Sequence, residues 1–218
     1  MQDHKETAHT RTQFQIDRIA FFSDAVIAIG LTLMVLEIKI PELGKTITFK
    51  EMIKAYGFSM LLHTLALLMG FLTIGNLWIR HHALFEHVIN YNERLIRTNL
   101  FFLLTIMLLP ISISFLFASN EPQHLQLTFY FINLFLCSFT YSLMLLVIFH
   151  KKNNFYSIKD DDKIKKLKNN SYAGSLAFLI VTVLVLMNIS WFYLGFFIIP
   201  IVNIISKRRS KALKKAAK

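Results

Sequence analysis

Apolar residues in this chain are grouped into long blocks that short polar segments separate. Four blocks, at about 18–40, 56–79, 98–118 and 125–149, have the roughly 20 residues that an α-helix needs to cross the hydrocarbon core of a bilayer. A fifth block, 172–206, is too long for one straight span, because each helical residue adds about 1.5 Å. Asn188, Ile189 and Ser190 predict a turn within it, which gives helices at 172–187 and 191–205. The pattern therefore predicts six membrane helices, with a re-entrant hairpin as the alternative for the last two.

The distribution of basic residues sets the predicted topology. The chain has 24 Lys and Arg against 13 Asp and Glu, a net charge of +11. Cytoplasmic loops of membrane proteins collect Lys and Arg, and six spans with both termini cytoplasmic put 20 basic residues inside and only 4 outside: Lys39, Lys45, Lys50 and Lys54. The charge therefore predicts topology and contact with the bilayer, and we expect no nucleic-acid partner. The predicted organisation is a cytoplasmic tail (1–17), a six-helix domain (18–206) and a basic cytoplasmic tail (207–218).

Composition supports an all-α membrane protein and offers little chemistry. Hydrophobic residues make up 55% of the chain and charged residues only 17%, with a mean hydropathy of +0.49. The single cysteine, Cys137, excludes an intrachain disulfide. The sequence has no Walker loop, nucleophile elbow or H-E-x-x-H motif, so we predict no enzyme, no cofactor and no resident metal. The expected location is the inner cell membrane, with several passes.

Asp24 is the informative residue of the first predicted helix, because a carboxylate within an apolar span needs a partner. Ile29, Leu33 and Leu36 form one apolar stripe along this helix, and Asp24 is rotated by about 140° from Ile29. The partners available at the same predicted depth are Ser23 on this helix, Trp78, Arg80, His81 and His82 on the second, and Asn99 on the third. A carboxylate–imidazole or carboxylate–arginine pair would satisfy Asp24. We favour a structural lock between three helices, and a proton relay through Asp24 and the histidines is the alternative.

The first predicted membrane helix contains the motif R-x-x-x-F-S-D, formed by Arg18, Phe22, Ser23 and Asp24. This motif resembles the signature of the transmembrane protein 175 family of lysosomal potassium channels. The resemblance extends to Trp78, His81 and His82, and to Asn99-Leu100 followed by Pro110. It covers the first three predicted helices. It implies that the motif residues hold the helix bundle together, and that first helices of four identical subunits surround the ion path at the axis of a homotetramer. By position, it implies a constriction at Ile29, with Thr32, Leu33 and Leu36 further along.

The function expected from this resemblance is passive, potassium-selective conduction. The chain lacks the T-V-G-Y-G carbonyl filter, and an Ile and Leu constriction offers no ligand to replace hydration water, so ion passage would require partial dehydration. Potassium, the expected permeant ion, holds its water less tightly than sodium. Thr32 offers a hydroxyl near Ile29, although a Thr hydroxyl within a helix also bonds to its own backbone. The alternative function is a proton-permeable or proton-coupled cation transporter that uses Asp24 and the nearby histidines.

Overall fold

A computed structural model describes residues 2–36, 48–116, 123–158 and 160–187 of the chain. These residues form six α-helices: α1 (Gln2–Leu36), α2 (Phe49–Phe85), α3 (Glu93–Met107), α4 (Leu109–Leu116), α5 (Gln123–Ile148) and α6 (Asp161–Leu186). With α3 and α4 taken together, five helical segments are long and apolar enough to cross a membrane. The predicted sixth span (191–205) and the basic tail (207–218) lie outside the described residues. The predicted tail at 1–17 is, from Gln2 onward, a continuation of α1.

Side-chain caps fix where three of the helices begin. Thr48 and Glu51 form a reciprocal capping box at the start of α2, and the side chain of Asn92 accepts a hydrogen bond from the Leu95 N–H at the start of α3. Asp160 caps α6 in the same way by accepting from the Lys163 N–H. This last cap explains why α6 begins at Asp161, eleven residues before the predicted span at 172–187. Much of the charged segment between the predicted spans at 125–149 and 172–187 is therefore the first part of a helix.

The third predicted span is interrupted. The structure divides the predicted helix at 98–118 into α3 and α4, with the break at Leu108. Pro110 lies two residues beyond the break and has no N–H to donate to the carbonyl one turn earlier. The Leu108 carbonyl accepts hydrogen bonds from both the backbone N–H (3.0 Å) and the side-chain hydroxyl (2.9 Å) of Ser112. A proline at this position thus accompanies a discontinuity in the helix.

Helix α5 lies at the centre of the subunit and packs against α3, α4 and α6, whereas α1 packs against α2 and α3. The buried residues of α1, at spacings of three, four and seven, share one helical face: Ile16, Ser23, Ile27, Gly30 and Met34. Gly70 of α2 lies where α1 and α4 come closest, because an added Cβ would overlap Met34 Cε and lie 2.6 Å from Ile113 Cδ1. A small residue at this position lets the three helices approach one another.

Two connecting loops meet at one end of the bundle, which we call the loop end. It comprises the α2–α3 loop (86–92) and the α5–α6 loop (149–160). Val88 and Tyr156 form an isolated antiparallel bridge, in which the Ile89 N–H donates to the Phe155 carbonyl at 2.8 Å. Lys168 Nζ donates to the Phe149 carbonyl just beyond the end of α5 (3.1 Å). The loop end is therefore tied together by backbone and side-chain hydrogen bonds, and the sequence predicts that it faces the cytoplasm.

Candidate functional site

A chain of hydrogen bonds joins α1, α2 and α3 near the loop end. His81 Nε2 lies 2.8 Å from Asn99 Oδ1, Asn99 Nδ2 donates to Ser23 Oγ at 2.8 Å, and Ser23 Oγ donates to the Ile19 carbonyl at 2.8 Å. The side chains of Ser23, His81 and Asn99 are at most 1% exposed. We call these three residues the three-helix lock. Each helix contributes one buried polar residue. The lock therefore fixes the rotation of α1 about its own axis and its axial position relative to α2 and α3.

The direction of these bonds determines the tautomer of His81. Because the Ser23 hydroxyl hydrogen is committed to the Ile19 carbonyl, Ser23 Oγ must accept from Asn99 Nδ2. Asn99 Oδ1 therefore faces His81, and His81 Nε2 carries the hydrogen that it donates. Nδ1 of His81 is then a buried lone pair, with no hydrogen-bond partner among the described residues. The lock holds the His81 ring in one orientation, with Nε2 as the donor to Asn99.

Asp24 forms a second link between α1 and α2. Its Oδ1 accepts a hydrogen bond from Trp78 Nε1 at 2.8 Å. Trp78 also packs against the ring of His82, with centroids 5.6 Å apart, and His82 is exposed. The structure thus gives Asp24 an indole partner, where the sequence suggested an imidazole or a guanidinium. An indole N–H donates one hydrogen bond and does not ionise at ordinary pH, which is typical of a structural contact.

Aromatic rings connect the lock to the subunit core, and sequence reasoning missed this part. His81 stacks between Phe85 (centroids 4.4 Å apart) and Phe102 (5.6 Å apart). Phe102 in turn contacts the ring of Tyr141 on α5, with centroids 5.8 Å apart. The Arg80 guanidinium lies 4.4 Å from the centroid of the Tyr141 ring, and the Tyr141 hydroxyl donates to the Arg80 carbonyl at 3.2 Å. The i, i+4 spacing of His81 and Phe85 was a visible signal, whereas nothing in the sequence links Tyr141 to Arg80.

Arg18 and Phe22, the first residues of the motif, lie outside the three-helix lock. Arg18 is exposed, and its Nη1 donates to Gln15 Oε1 of the same helix at 3.4 Å. The Phe22 side chain is 52% exposed. Both residues line a groove between α1 and α3, and Asn99 forms part of the same groove. The motif therefore has two parts in this structure: Ser23 and Asp24 bind other helices, whereas Arg18 and Phe22 are accessible.

The predicted constriction residues occupy a different region of α1 from the lock. The side chains of Ile29 and Leu36 are 52% and 76% exposed, Thr32 is exposed, and Leu33 is half-buried. The Thr32 hydroxyl donates to the Ile29 carbonyl at 2.8 Å, which is the ordinary intrahelical bond of a threonine. Three of the four residues thus present apolar or hydroxyl groups that no other described helix of the subunit covers.

These features define a helical membrane protein whose first helix is bound to α2 and α3 through Asp24 and Ser23. The same helix carries exposed apolar side chains, at Ile29 and Leu36, on a different face. Residues 18–110 match the family described as endosomal/lysosomal potassium channel TMEM175. The matched range includes the R-x-x-x-F-S-D motif, Trp78, His81 and Asn99. The resemblance to the TMEM175 family that was predicted from the sequence is therefore confirmed.

Curated relatives of the chain are named as potassium channels, which are not enzymes. A potassium channel from Chryseobacterium sp. (strain P1-3) is 29% identical over 143 residues, which cover 66% of this chain and 70% of that protein. A potassium channel from Streptomyces collinus is 34% identical over 101 residues, which cover 43% of each protein. The chain thus spans less than half the length of the second relative.

A solved structure has the same fold. The crystal structure of a lysosomal potassium-selective channel TMEM175 homologue from Chamaesiphon minutus matches with a TM-score of 0.67 at 22% identity, and the match covers 90% of this chain and 98% of that one. The described helices therefore adopt the fold of a TMEM175 homologue, in agreement with the predicted all-helical membrane architecture.

Proposed function

We propose that this protein is a potassium-selective channel of the inner cell membrane that conducts passively through a hydrophobic constriction. In this proposal the first helices of four identical subunits line the pore around a common axis, and both termini face the cytoplasm. Ile29, Thr32, Leu33 and Leu36 form the constriction. Potassium is the permeant ion, and no resident metal, cofactor or nucleic acid takes part.

The observation that carries the proposal is that two sets of residues lie on different faces of α1. One set binds the neighbouring helices, and the other is the apolar stripe of Ile29, Leu33 and Leu36. Ser23 and Asp24 bind α3 and α2, while Ile29 and Leu36 remain more than half exposed. A helix held in this way presents a fixed apolar surface. Because relatives of the chain are named as potassium channels, we infer that ions pass along this surface.

An uncovered face on one helix encloses nothing by itself, so a pore along α1 requires several copies around an axis. In their most apolar stretches, only 22% of α1 residues and 19% of α2 residues are buried within the subunit. Contact with other subunits would remove part of this surface from lipid. The family resemblance implies four copies, which cyclic symmetry permits.

Selectivity in such a pore arises from the cost of dehydration. An Ile and Leu ring provides no oxygen to replace the hydration shell, so each ion must shed part of its water to pass. Sodium holds its water more tightly than potassium and pays the higher cost. The Thr32 hydroxyl is bonded to the Ile29 carbonyl, but its oxygen retains a lone pair that can face water or an ion.

Purified protein in liposomes tests the proposal directly. With matched outward gradients, we expect potassium efflux to exceed sodium efflux in the absence of any coupled ion. Empty liposomes serve as the control. Equal fluxes of the two ions, or no uncoupled flux from well-folded protein, would reject selective passive conduction.

The alternative is a proton-permeable or proton-coupled cation transporter that uses Asp24 and the nearby histidines. The contacts of these residues give it less support, because Asp24 accepts from Trp78, which does not relay protons, and His81 donates to Asn99. Replacing Asp24 by Asn keeps the acceptor oxygen for Trp78 and removes the titratable group. The channel proposal predicts that Asp24→Asn still conducts potassium passively. Loss of proton-coupled uptake in this variant would favour the transporter.

A further inference from the structure

The exposed face of α1 that carries Ile29 and Leu36 continues towards the loop end, where it carries arginine. At about 100° per helical residue, Arg18 points within about 20° of Ile29, and Arg11 points in the same direction as Ile29. All four side chains are exposed and belong to one unbroken helix. Arg18 lies about 16 Å from Ile29 along the helix axis, at about 1.5 Å per residue. The apolar stripe and two cations therefore share one face of α1.

The charge of Arg18 has no carboxylate beside it on this face. Its guanidinium donates to the neutral side chain of Gln15 at 3.4 Å, and no carboxylate among the described side chains forms an ion pair with it. The adjacent Asp17 is rotated from Arg18 by about 100° and accepts a hydrogen bond from Gln13 at 3.1 Å. Because an arginine stays protonated, Arg18 presents a positive charge to the space in front of the exposed face.

We propose that Arg18 and Arg11 of the assembled subunits form two cationic rings at the cytoplasmic mouth of the pore, and that these rings slow the entry of cations from that side. The inference rests on the proposed function, since only several copies around an axis bring these arginines together. A mouth lined by charges of one sign changes the local concentration of ions, and here it lowers that of potassium. Outward potassium current should therefore be smaller than inward current at the opposite voltage.

Helix α3 supplies a matched control at the same depth, because α1 and α3 run side by side in the same direction. Ser23 bonds to Asn99, 76 positions later, and Gly30 lies beside Ile106 with the same separation. By this correspondence Arg94, which is exposed, lies at the depth of position 18. It is rotated by about 140° from Asn99, which faces α1. Arg94 therefore carries the same charge at the same depth on a different helix, turned away from α1.

Currents through single channels in inside-out membrane patches, with equal potassium chloride on both sides, test the inference. We expect the wild-type ratio of outward to inward current to lie below one at equal and opposite voltages. The ratio should approach one in Arg18→Gln, and also in about 1 M salt, where the Debye length is about 3 Å. Arg94→Gln should keep the wild-type ratio. Equal wild-type currents in both directions, an unchanged ratio in Arg18→Gln or an equal shift in Arg94→Gln would overturn the inference.

Thiol labelling at position 25 measures the local charge without any flux. Ala25 is exposed and points within about 40° of Ile29, whereas the native Cys137 is 1% exposed. In Ala25→Cys protein, the ratio of the labelling rates by an anionic and a cationic methanethiosulfonate reagent reports the local potential. Loss of four charges about 10 Å away should lower this ratio about fivefold in Arg18→Gln, whereas loss of one charge would lower it only about 1.5-fold.

Arg94→Gln in the same Ala25→Cys background should leave the labelling ratio unchanged. A shift of about 1.5-fold or less in Arg18→Gln would show that the arginines do not converge and would overturn the inference. A fivefold shift in protein that carries no current would support the cationic rings and reject the proposed channel, so the two failures are distinguishable.

Discussion

Helices α1 and α5 both have the length and composition of membrane spans, but they are held in different ways. In its most apolar stretch 61% of α5 is buried within the subunit, against 22% of α1. Buried hydrogen bonds join α5 to two neighbouring helices. Asn133 Nδ2 of α5 donates to Ser112 Oγ of α4 at 2.7 Å, and the hydroxyl oxygens of Ser142 on α5 and Ser171 on α6 lie 2.6 Å apart. By contrast, the described side-chain hydrogen bonds from α1 to other helices lie at Ser23 and Asp24, near the loop end.

This difference separates two tasks. The helices around α5 form a packed block in which most positions face other helices of the same subunit. Helix α1 is attached to that block by a few specific contacts and has one face that no other described helix covers, which in the proposed channel faces the pore. A pore-lining helix needs a fixed orientation and an uncovered face together, and the lock supplies the first without covering the second. The contacts of α1 should therefore matter more, residue by residue, than those on exposed faces elsewhere.

Asn99→Leu should give the largest loss of stability. It leaves the buried His81 Nε2–H without an acceptor and Ser23 Oγ without its donor, and each orphaned group costs about 1–3 kcal/mol. We expect a destabilisation of at least about 2 kcal/mol, measured as a lower melting temperature and a lower yield of folded protein in detergent.

Asn76→Leu is the matched control for that prediction. Asn76 is exposed, and its side chain bonds only to the Leu72 carbonyl of its own helix, at 2.8 Å. Its replacement should change stability by less than about 0.5 kcal/mol. Equal melting temperatures for the two variants would mean that the lock does not anchor α1.

Gly70→Ala tests the close approach of α1, α2 and α4. The new methyl group would overlap Met34 and crowd Ile113, both buried, and overpacking of this kind costs about 1–3 kcal/mol. Gly75 on the same helix has open space around its Cβ position. Gly75→Ala should therefore be neutral or slightly stabilising, since alanine favours helix. A Gly70→Ala protein that melts like Gly75→Ala would contradict the described packing of α1.

Trp78→Phe removes the donor to Asp24 and keeps an aromatic ring. Because Trp78 is 38% exposed, water can replace part of the lost bond, and we expect a loss of about 0.5–1 kcal/mol, within the usual range for one hydrogen bond. Thermal unfolding in detergent measures it. A loss as large as that of Asn99→Leu would show that Asp24, and not the three-helix lock, carries most of the anchoring.

We expect the smallest effect on stability from a change in the N-terminal cap of α2. The Thr48 hydroxyl and backbone N–H donate to Glu51 and lower the pKa of Glu51 from its usual value of 4.5. A carboxyl with a lowered pKa in the folded state stabilises that state above its unfolded pKa, and the contribution disappears as pH falls through the folded pKa. Wild type should therefore exceed Glu51→Gln slightly in melting temperature at neutral pH and match it at low pH. A difference that grows on acidification would contradict this assignment.

Sequence reasoning located the elements of this fold better than their contacts. The R-x-x-x-F-S-D motif predicted the resemblance to the TMEM175 family, and block length predicted the helical membrane architecture. Both signals lie in short stretches of the sequence. The sequence placed most of the candidate partners of Asp24 at one end of the second helix. Which of these residues contacts Asp24 depends on how α2 is rotated relative to α1, and this rotation brings Trp78 to it. Hydropathy does not report that rotation.

Other features had no signal in a hydropathy profile. Helix α6 begins at Asp161 because Asp160 caps it, and a charged segment of this kind resembles a loop when only apolar length is counted. The contact of Arg80 with Tyr141 joins residues 61 positions apart. The accessible position of Arg18 was also unexpected, since the motif suggested that all four of its residues take part in the lock.

The most direct test of the account is the potassium-to-sodium flux ratio of Ile29→Asn in liposomes. An amide at this position should let water into the constriction and lower the ratio towards one. The control is Ile180→Asn on α6, because Ile180 is 51% exposed and Ile29 is 52% exposed. We expect a reduced ratio for Ile29→Asn and the wild-type ratio for Ile180→Asn. A wild-type ratio in well-folded Ile29→Asn protein would contradict the assignment of the pore to the uncovered face of α1.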